Sequence, residues 1–176
     1  MLAAASLLAG AAQAAVWVDV GPASGFSIDG SVVTYSPSPA LTVKYYSDNL
    51  VPQSPDAIQG YLSAAFGTML SSPASFCDNP TSSCTAGTSA GLSGGVNSFT
   101  SAAAYDYLAI HFGKGELAFH WATPVAAGTT FTIAGLPKDL SNYRAFVSAV
   151  PEPETYAMLL AGLGMLGWVA RRRQNK

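Results

Sequence analysis

The chain has 176 residues, of which 10% are charged and 49% hydrophobic. Ordinary soluble domains carry ~25% charged residues, so this composition excludes a highly charged cytosolic enzyme and suits a β-rich exported protein dominated by Ala, Gly, Ser and Thr. Between Ala15 and Val150 four basic residues (Lys44, Lys114, Lys138, Arg144) stand against eight acidic ones, a net charge of −4. Such a segment has no field to attract phosphates, so nucleic acid binding is set aside.

Residues 2–12 form an apolar run, with Leu2, Leu7 and Leu8 among alanines, followed by Ala12-Gln13-Ala14. Small residues at alternate positions after an apolar segment predict a signal peptide over residues 1–14, cleaved after Ala14 by signal peptidase once the secretion machinery has engaged it. A signal opens with a positive leader and nothing basic precedes Leu2, so this one is expected to be truncated at its start. An Ala-rich structural helix is the alternative.

Residues 15–149 are expected to be the exported domain. Strand-like runs occur at Ala15–Val20, Ser31–Tyr35, Leu41–Tyr46, Tyr105–Phe112, Glu116–Trp121, Thr129–Ile133 and Tyr143–Ala149, separated by Gly, Pro, Ser and Asn clusters. The pattern predicts a mainly β fold, an antiparallel β-sandwich of jelly-roll-like type. One short amphipathic helix interrupts it. Ser54 caps, Pro55 takes the first helical position, Asp56 favours the positive end, and Ile58, Tyr61, Leu62, Ala65 and Phe66 make the apolar stripe before Gly67. Gly60 weakens the helix by ~1 kcal/mol relative to Ala, so packing must hold it, with the helix covering an edge or end of the sandwich.

Cys77 and Cys84 bracket a turn-rich segment. In an exported chain an isolated pair is most simply a disulfide, stabilising by ~2–3 kcal/mol at most. A metal site would need further ligands, and none stands nearby in sequence. Thr85–Ser98, rich in Gly and Ser, is expected to be a loop.

The clearest hairpin runs from Tyr105 to Trp121. With Lys114-Gly115 as its two-residue loop, Phe112 opposes Leu117, Ile110 opposes Phe119 and Leu108 opposes Trp121, all on one apolar face that belongs to the core. In this register His111 and His120 are diagonal neighbours on the polar face, a possible ligand or metal pair with Glu116 as the nearest third group. The bland alternative is two surface histidines. Tyr45, Tyr46, Tyr105, Tyr107 and Trp121 could form an aromatic surface for sugars, although aromatics in strands are more often core. Asp106 and Glu116 could form a carboxylate pair only if they flank a cleft. No nucleophile elbow, calcium loop or phosphate-cradling loop occurs. No catalytic residue, metal or cofactor is therefore assigned, and the chain is not expected to be an enzyme.

The C-terminus, residues 150–176, has three parts. Val150, Pro151, Glu152, Pro153 and Glu154 form a stiff acidic segment. Residues 155–170 are uncharged and rich in Leu, Ala, Gly and Met, a predicted transmembrane helix of ~24 Å at ~1.5 Å per residue. Arg171, Arg172 and Arg173 stop it, and the positive-inside rule leaves them in the cytoplasm with the body outside. The Pro151-Glu152-Pro153 triplet, Thr155, the Leu159-Leu160-Ala161-Gly162-Leu163 stretch and the three arginines together resemble the PEP-CTERM sorting domain of Gram-negative bacteria. A plain tail anchor would serve with the apolar stretch and arginines alone, and the Pro-Glu-Pro collar favours the sorting reading. The resemblance covers about the last 27 residues. It implies an exosortase, a membrane transpeptidase-like protease, as partner, removal of the tail after transient anchoring, and delivery to the cell surface or extracellular matrix. It further implies association with exopolysaccharide and biofilm. The first expectation is thus a non-catalytic surface or matrix protein. A carbohydrate-binding, lectin-like sandwich is the alternative, and a secreted hydrolase comes third.

Overall fold

The computed structural model describes residues 16–78, 84–85, 87–90, 96–149, 160–163, 165–166 and 171. The expected signal peptide and most of the C-terminal segment, including Val150, Pro151, Glu152, Pro153, Arg172 and Arg173, lie outside the described residues. Residues 160–163 and 165–166 are helical. Among the described residues no helix is long and apolar enough to cross a membrane.

The body is mainly β, with two antiparallel sheets and one short helix. A six-stranded sheet takes the order β1 (Val18–Asp19), β4 (Thr42–Tyr46), β9 (Gly115–Val125), β8 (Tyr105–Phe112), β11 (Leu140–Phe146) and β5 (Ser75–Cys77). A five-stranded sheet takes the order β2 (Phe26–Ile28), β3 (Ser31–Ser36), β10 (Thr130–Ala134), β7 (Val96–Ser101) and β6 (Gly87–Ala90). Their inner faces meet in an aromatic core in which Phe99 stacks on Tyr143 at 3.9 Å and Phe119 meets Phe131 edge-on at 5.4 Å. Gly87 is required beside that stack, because a Cβ there would stand 2.6 Å from both Ser75 Oγ and the Tyr143 hydroxyl.

Four expectations are corrected. The hairpin turns at Gly113-Lys114, so Phe112 pairs with Gly115, Ile110 with Leu117 and Leu108 with Phe119. The shift from the expected register is two residues, which preserves faces: Leu108, Ile110, Phe112, Leu117, Phe119 and Trp121 all enter the inner core. The expected loop at Thr85–Ser98 contains β6 and the start of β7, because the ladder between them is made by backbone N–H and C=O groups. The last strand begins earlier than expected, at Leu140, and the first is reduced to Val18–Asp19. The fourth concerns α1 (Pro55–Phe66). Its caps are those expected, with Ser54 Oγ accepting from Ala57 N–H and Gly67 left-handed at φ 64°. Yet α1 lies on a face of the six-stranded sheet, not at an edge or end. Ile58 and Leu62, both 0% exposed, pack in a second core with Tyr107, Ala109, Ala118 and Phe146.

Strand β8 is consequently buried at all eight positions. Leu62→Ala should lower stability by about 3 kcal/mol through the cavity it leaves. Gly60→Ala should raise it by about 1 kcal/mol, since a Cβ there meets nothing within 4 Å. Urea unfolding of both variants checks the pair of opposite signs.

Candidate functional site

Two places gather polar chemistry. The first follows from the register of the six-stranded sheet, which aligns Tyr46, Glu116, His111 and Asn142 in one row across β4, β9, β8 and β11. Their side chains share the face that α1 covers. His111 Nδ1 and Glu116 Oε2 are 3.0 Å apart, with Glu116 0% exposed. Burial pushes the Glu116 carboxyl up from 4.5, while His111 and Arg144 act against that rise. Gln53 also favours the ionised form, but Glu116 Oε1 makes no well-formed hydrogen bond among the described residues, and burial remains the largest influence. A protonated carboxyl donating to the imidazole nitrogen fits this geometry.

Two residues along β11, Arg144 is 2% exposed. It donates to Cys77 O at 3.1 Å, Tyr143 O at 3.0 Å and Gln53 O at 2.9 Å, and it pairs with Asp78. Burial lowers its pKa below the ordinary guanidinium value, and Asp78 opposes that shift. Gln53 accepts from Asn142 Nδ2 at 3.4 Å and donates to Leu50 O at 2.6 Å. The guanidinium therefore ties three segments to β11: the lead-in to α1, the end of β5 and the start of the cysteine loop, which the Cys77–Cys84 disulfide closes.

Of the expected site residues, Cys77 and Cys84 are joined in the disulfide, whereas the two histidines are not brought together. His111 pairs with Glu116 and His120 with Tyr107, which separates the histidines by four ladder positions, roughly 13 Å at ~3.3 Å per residue. His120 instead stacks on Tyr107 at 4.2 Å under the edge of Phe66, and burial lowers its pKa despite Asp106. Asp106, which accepts from Ser148 N–H at 2.9 Å, sits five residues along β8 from His111, the partner of Glu116, so the two carboxylates flank no common cleft. Among the described residues no cluster of three His, Cys, Asp or Glu could hold a metal ion. The expected aromatic surface is divided as well: Tyr105 and Trp121 enter the inner core and Tyr107 the outer one. Of the sorting residues, Arg171 is exposed and the others lie outside the described residues.

The second place lies at the hairpin end of the sandwich, a cleft of about 390 Å³ lined in part by Asp29, Tyr45, Phe112, Lys114, Gly115 and Lys138. Tyr45 stacks on Phe112 at 6.1 Å and 18° and donates to Asp29 Oδ2 at 3.4 Å. Its phenol is pushed up first by burial and then by Asp29. Asp29 occupies the left-handed region at φ 49° in the two-residue Asp29-Gly30 turn of the β2–β3 hairpin. That Asp-Gly pair is the local sequence signal for a two-residue hairpin turn, and it places Asp29.

The PEP-CTERM protein-sorting motif matches residues 149–174, a span that contains Pro151-Glu152-Pro153 and the three arginines. The motif supports an exported, exosortase-targeted protein with cell-surface localisation. No curated protein and no solved structure matches the chain.

The native state, in which Glu116 has a raised pKa, keeps a proton that the unfolded chain releases above 4.5. The stability this gives is present below that value and is lost as pH rises through the native pKa. His120 acts oppositely: its lowered pKa gives stability present above 6.5 and lost as pH falls. Glu116→Gln stays neutral, so its advantage over the parent chain should be absent in acid and grow with pH. Paired thermal unfolding curves at stepped pH check this, and a pH-independent difference would contradict it.

Proposed function

We propose that a chain carrying this motif is a non-catalytic surface or extracellular-matrix protein, delivered by exosortase processing of residues 150–176 and associated with exopolysaccharide or biofilm. The observation that carries the reading is the continuity of body and motif. Ser71 N–H donates to Val147 O at 2.9 Å, Ser148 N–H to Asp106 at 2.9 Å, and Ala149 N–H to Met69 O at 2.9 Å, so the matched span begins while the chain is still bonded to the sandwich. A disulfide-closed body of residues 15–149, following a cleaved signal at 1–14, suits an oxidising compartment outside the cytoplasm. Support for a non-catalytic role comes from the placement of the acid–base groups: Glu116 is fully buried, and His120 stacks on Tyr107 under the edge of Phe66. In this role Pro151-Glu152-Pro153 is the processing collar, and Arg171, Arg172 and Arg173 are the stop that holds the tail until it is removed.

A lectin-like module on the same delivery route is the second reading. It is favoured by the cleft at Tyr45 and Phe112, where an aromatic ring sits beside hydrogen-bonding and charged groups.

Mass spectrometry of the protein recovered from the cell surface should show loss of the residues that follow Pro151–Pro153. A mature surface protein that retains an intact tail through Arg173 would contradict processing.

A further inference from the structure

We infer that the cleft at the hairpin end binds an acidic saccharide, a hydroxylated ring bearing a carboxylate of the hexuronate class. The inference deepens the exported-matrix reading and rests on it for the setting in which such a ligand is met.

Charge is the first argument. The segment 15–150 has four cations in a net charge of −4. Two of them are neutralised, Lys44 by Asp19 at 2.8 Å and Arg144 by Asp78. The other two, Lys114 and Lys138, are exposed, have no ion pair among the described residues, and both line this one cleft. With Asp29 the lining carries a net positive charge inside an acidic body. A single carboxylate is matched by that field, whereas a nucleic acid backbone would be repelled by the rest of the surface.

Shape is the second argument. Gly115 cannot be replaced without moving the ring, because a Cβ there would stand 2.8 Å from Tyr45 Cε2 and 3.0 Å from Phe112 Cζ. Glycine lets the half-buried Tyr45 lie across the hairpin strand against Phe112, leaving part of the ring open to the cleft. The apolar C–H face of a saccharide ring fits such a surface, and Asp29, already accepting from the Tyr45 hydroxyl, can accept from a sugar hydroxyl as well. Gly113, at φ 57°, does the same for Lys138: a Cβ would stand 2.8 Å from Lys138 Cγ, so the lysine stem is laid over the turn beside the cleft.

Placement is the third. β8 ends at the cleft with Phe112, and its other end, near Tyr107, pairs with Phe146, where the chain leaves towards the sorting motif. Its eight residues span roughly 23 Å at ~3.3 Å each. The cleft thus faces away from the tail exit. A second cleft of about 320 Å³, lined by Pro39, Leu41 and Trp121 near the opposite end, has no charged lining residue.

Calorimetric titration of the full chain in detergent with methyl galacturonoside, one ring with one carboxylate, and with methyl galactoside as neutral control, tests the proposal. Saturable binding of the acidic probe alone is expected, weakening as salt shortens the Debye length and falling about tenfold in the Lys114→Gln/Lys138→Gln double variant. Tyr45→Ala, checked for an intact thermal transition, should also weaken it, and Lys44→Gln should not. Equal binding of the neutral probe, unchanged affinity in the double variant, or no binding by folded protein would each overturn the proposal. Delivery is read separately by mass spectrometry of the surface fraction. A chain exported and trimmed normally that binds no uronate removes the ligand and leaves delivery standing; a chain that never reaches the surface removes delivery whatever it binds.

Discussion

The structure depends on the burial of β8 on both faces. An antiparallel sheet can leave one face to water, and the other strands of this sheet carry half-exposed or exposed positions. β8 has none: Leu108, Ile110 and Phe112 fill the inner core, while Tyr107 and Ala109 lie beneath α1. The helix has no independent claim to stability, since Gly60 sits at its centre and twelve residues are marginal for an isolated helix in water. Sheet and helix therefore stabilise each other through one apolar contact, Ile58 and Leu62 on Ala109, Ala118 and Phe146.

That constraint determines what the polar residues on the covered face can be. Glu116, His111, Asn142 and Arg144 are removed from water by the same layer that buries Tyr107, so their hydrogen bonds must be found inside the protein. Arg144 finds them on three different segments, and in doing so it fixes the lead-in to α1 and the base of the cysteine loop. Removing Asp78, itself 65% exposed, would leave the buried Arg144 guanidinium without its counter-charge. Residues that read from sequence as chemistry thus serve as the seam between layers, and the open chemistry is displaced to the hairpin end.

Much of the body was legible because its signals are local. The caps of α1, Ser54 and Gly67, stand where the capping and apolar patterns place them. Apolar alternation places the six hairpin residues on the correct face but leaves their register open. A shift of two residues leaves every face unchanged, so apolar alternation cannot distinguish it, and the turn at Gly113, φ 57°, decides instead. β6 and β7 carry Gly, Ser and Thr, so side-chain pattern could not reveal a strand that backbone pairing makes. The candidate cleft was not legible as a unit. Its residues come from the β2–β3 turn, β4, the β8–β9 hairpin and the β10–β11 connection, which only the closed sandwich brings to one end. The sorting motif, carried entirely by contiguous residues, could be read in full.

Hydrogen bonds hold the chain to the body as far as Ala149, where the matched motif begins. The burial of β8 on both faces requires α1 and the six-stranded sheet to behave as one rigid unit. Native-state hydrogen exchange under increasing denaturant tests that claim most directly. The amides of Leu108 and Ile110 should exchange only through global unfolding, and those of Ile58 and Leu62 should merge into the same transition. Exchange of α1 through a separate, lower-energy opening that leaves β8 protected would contradict it.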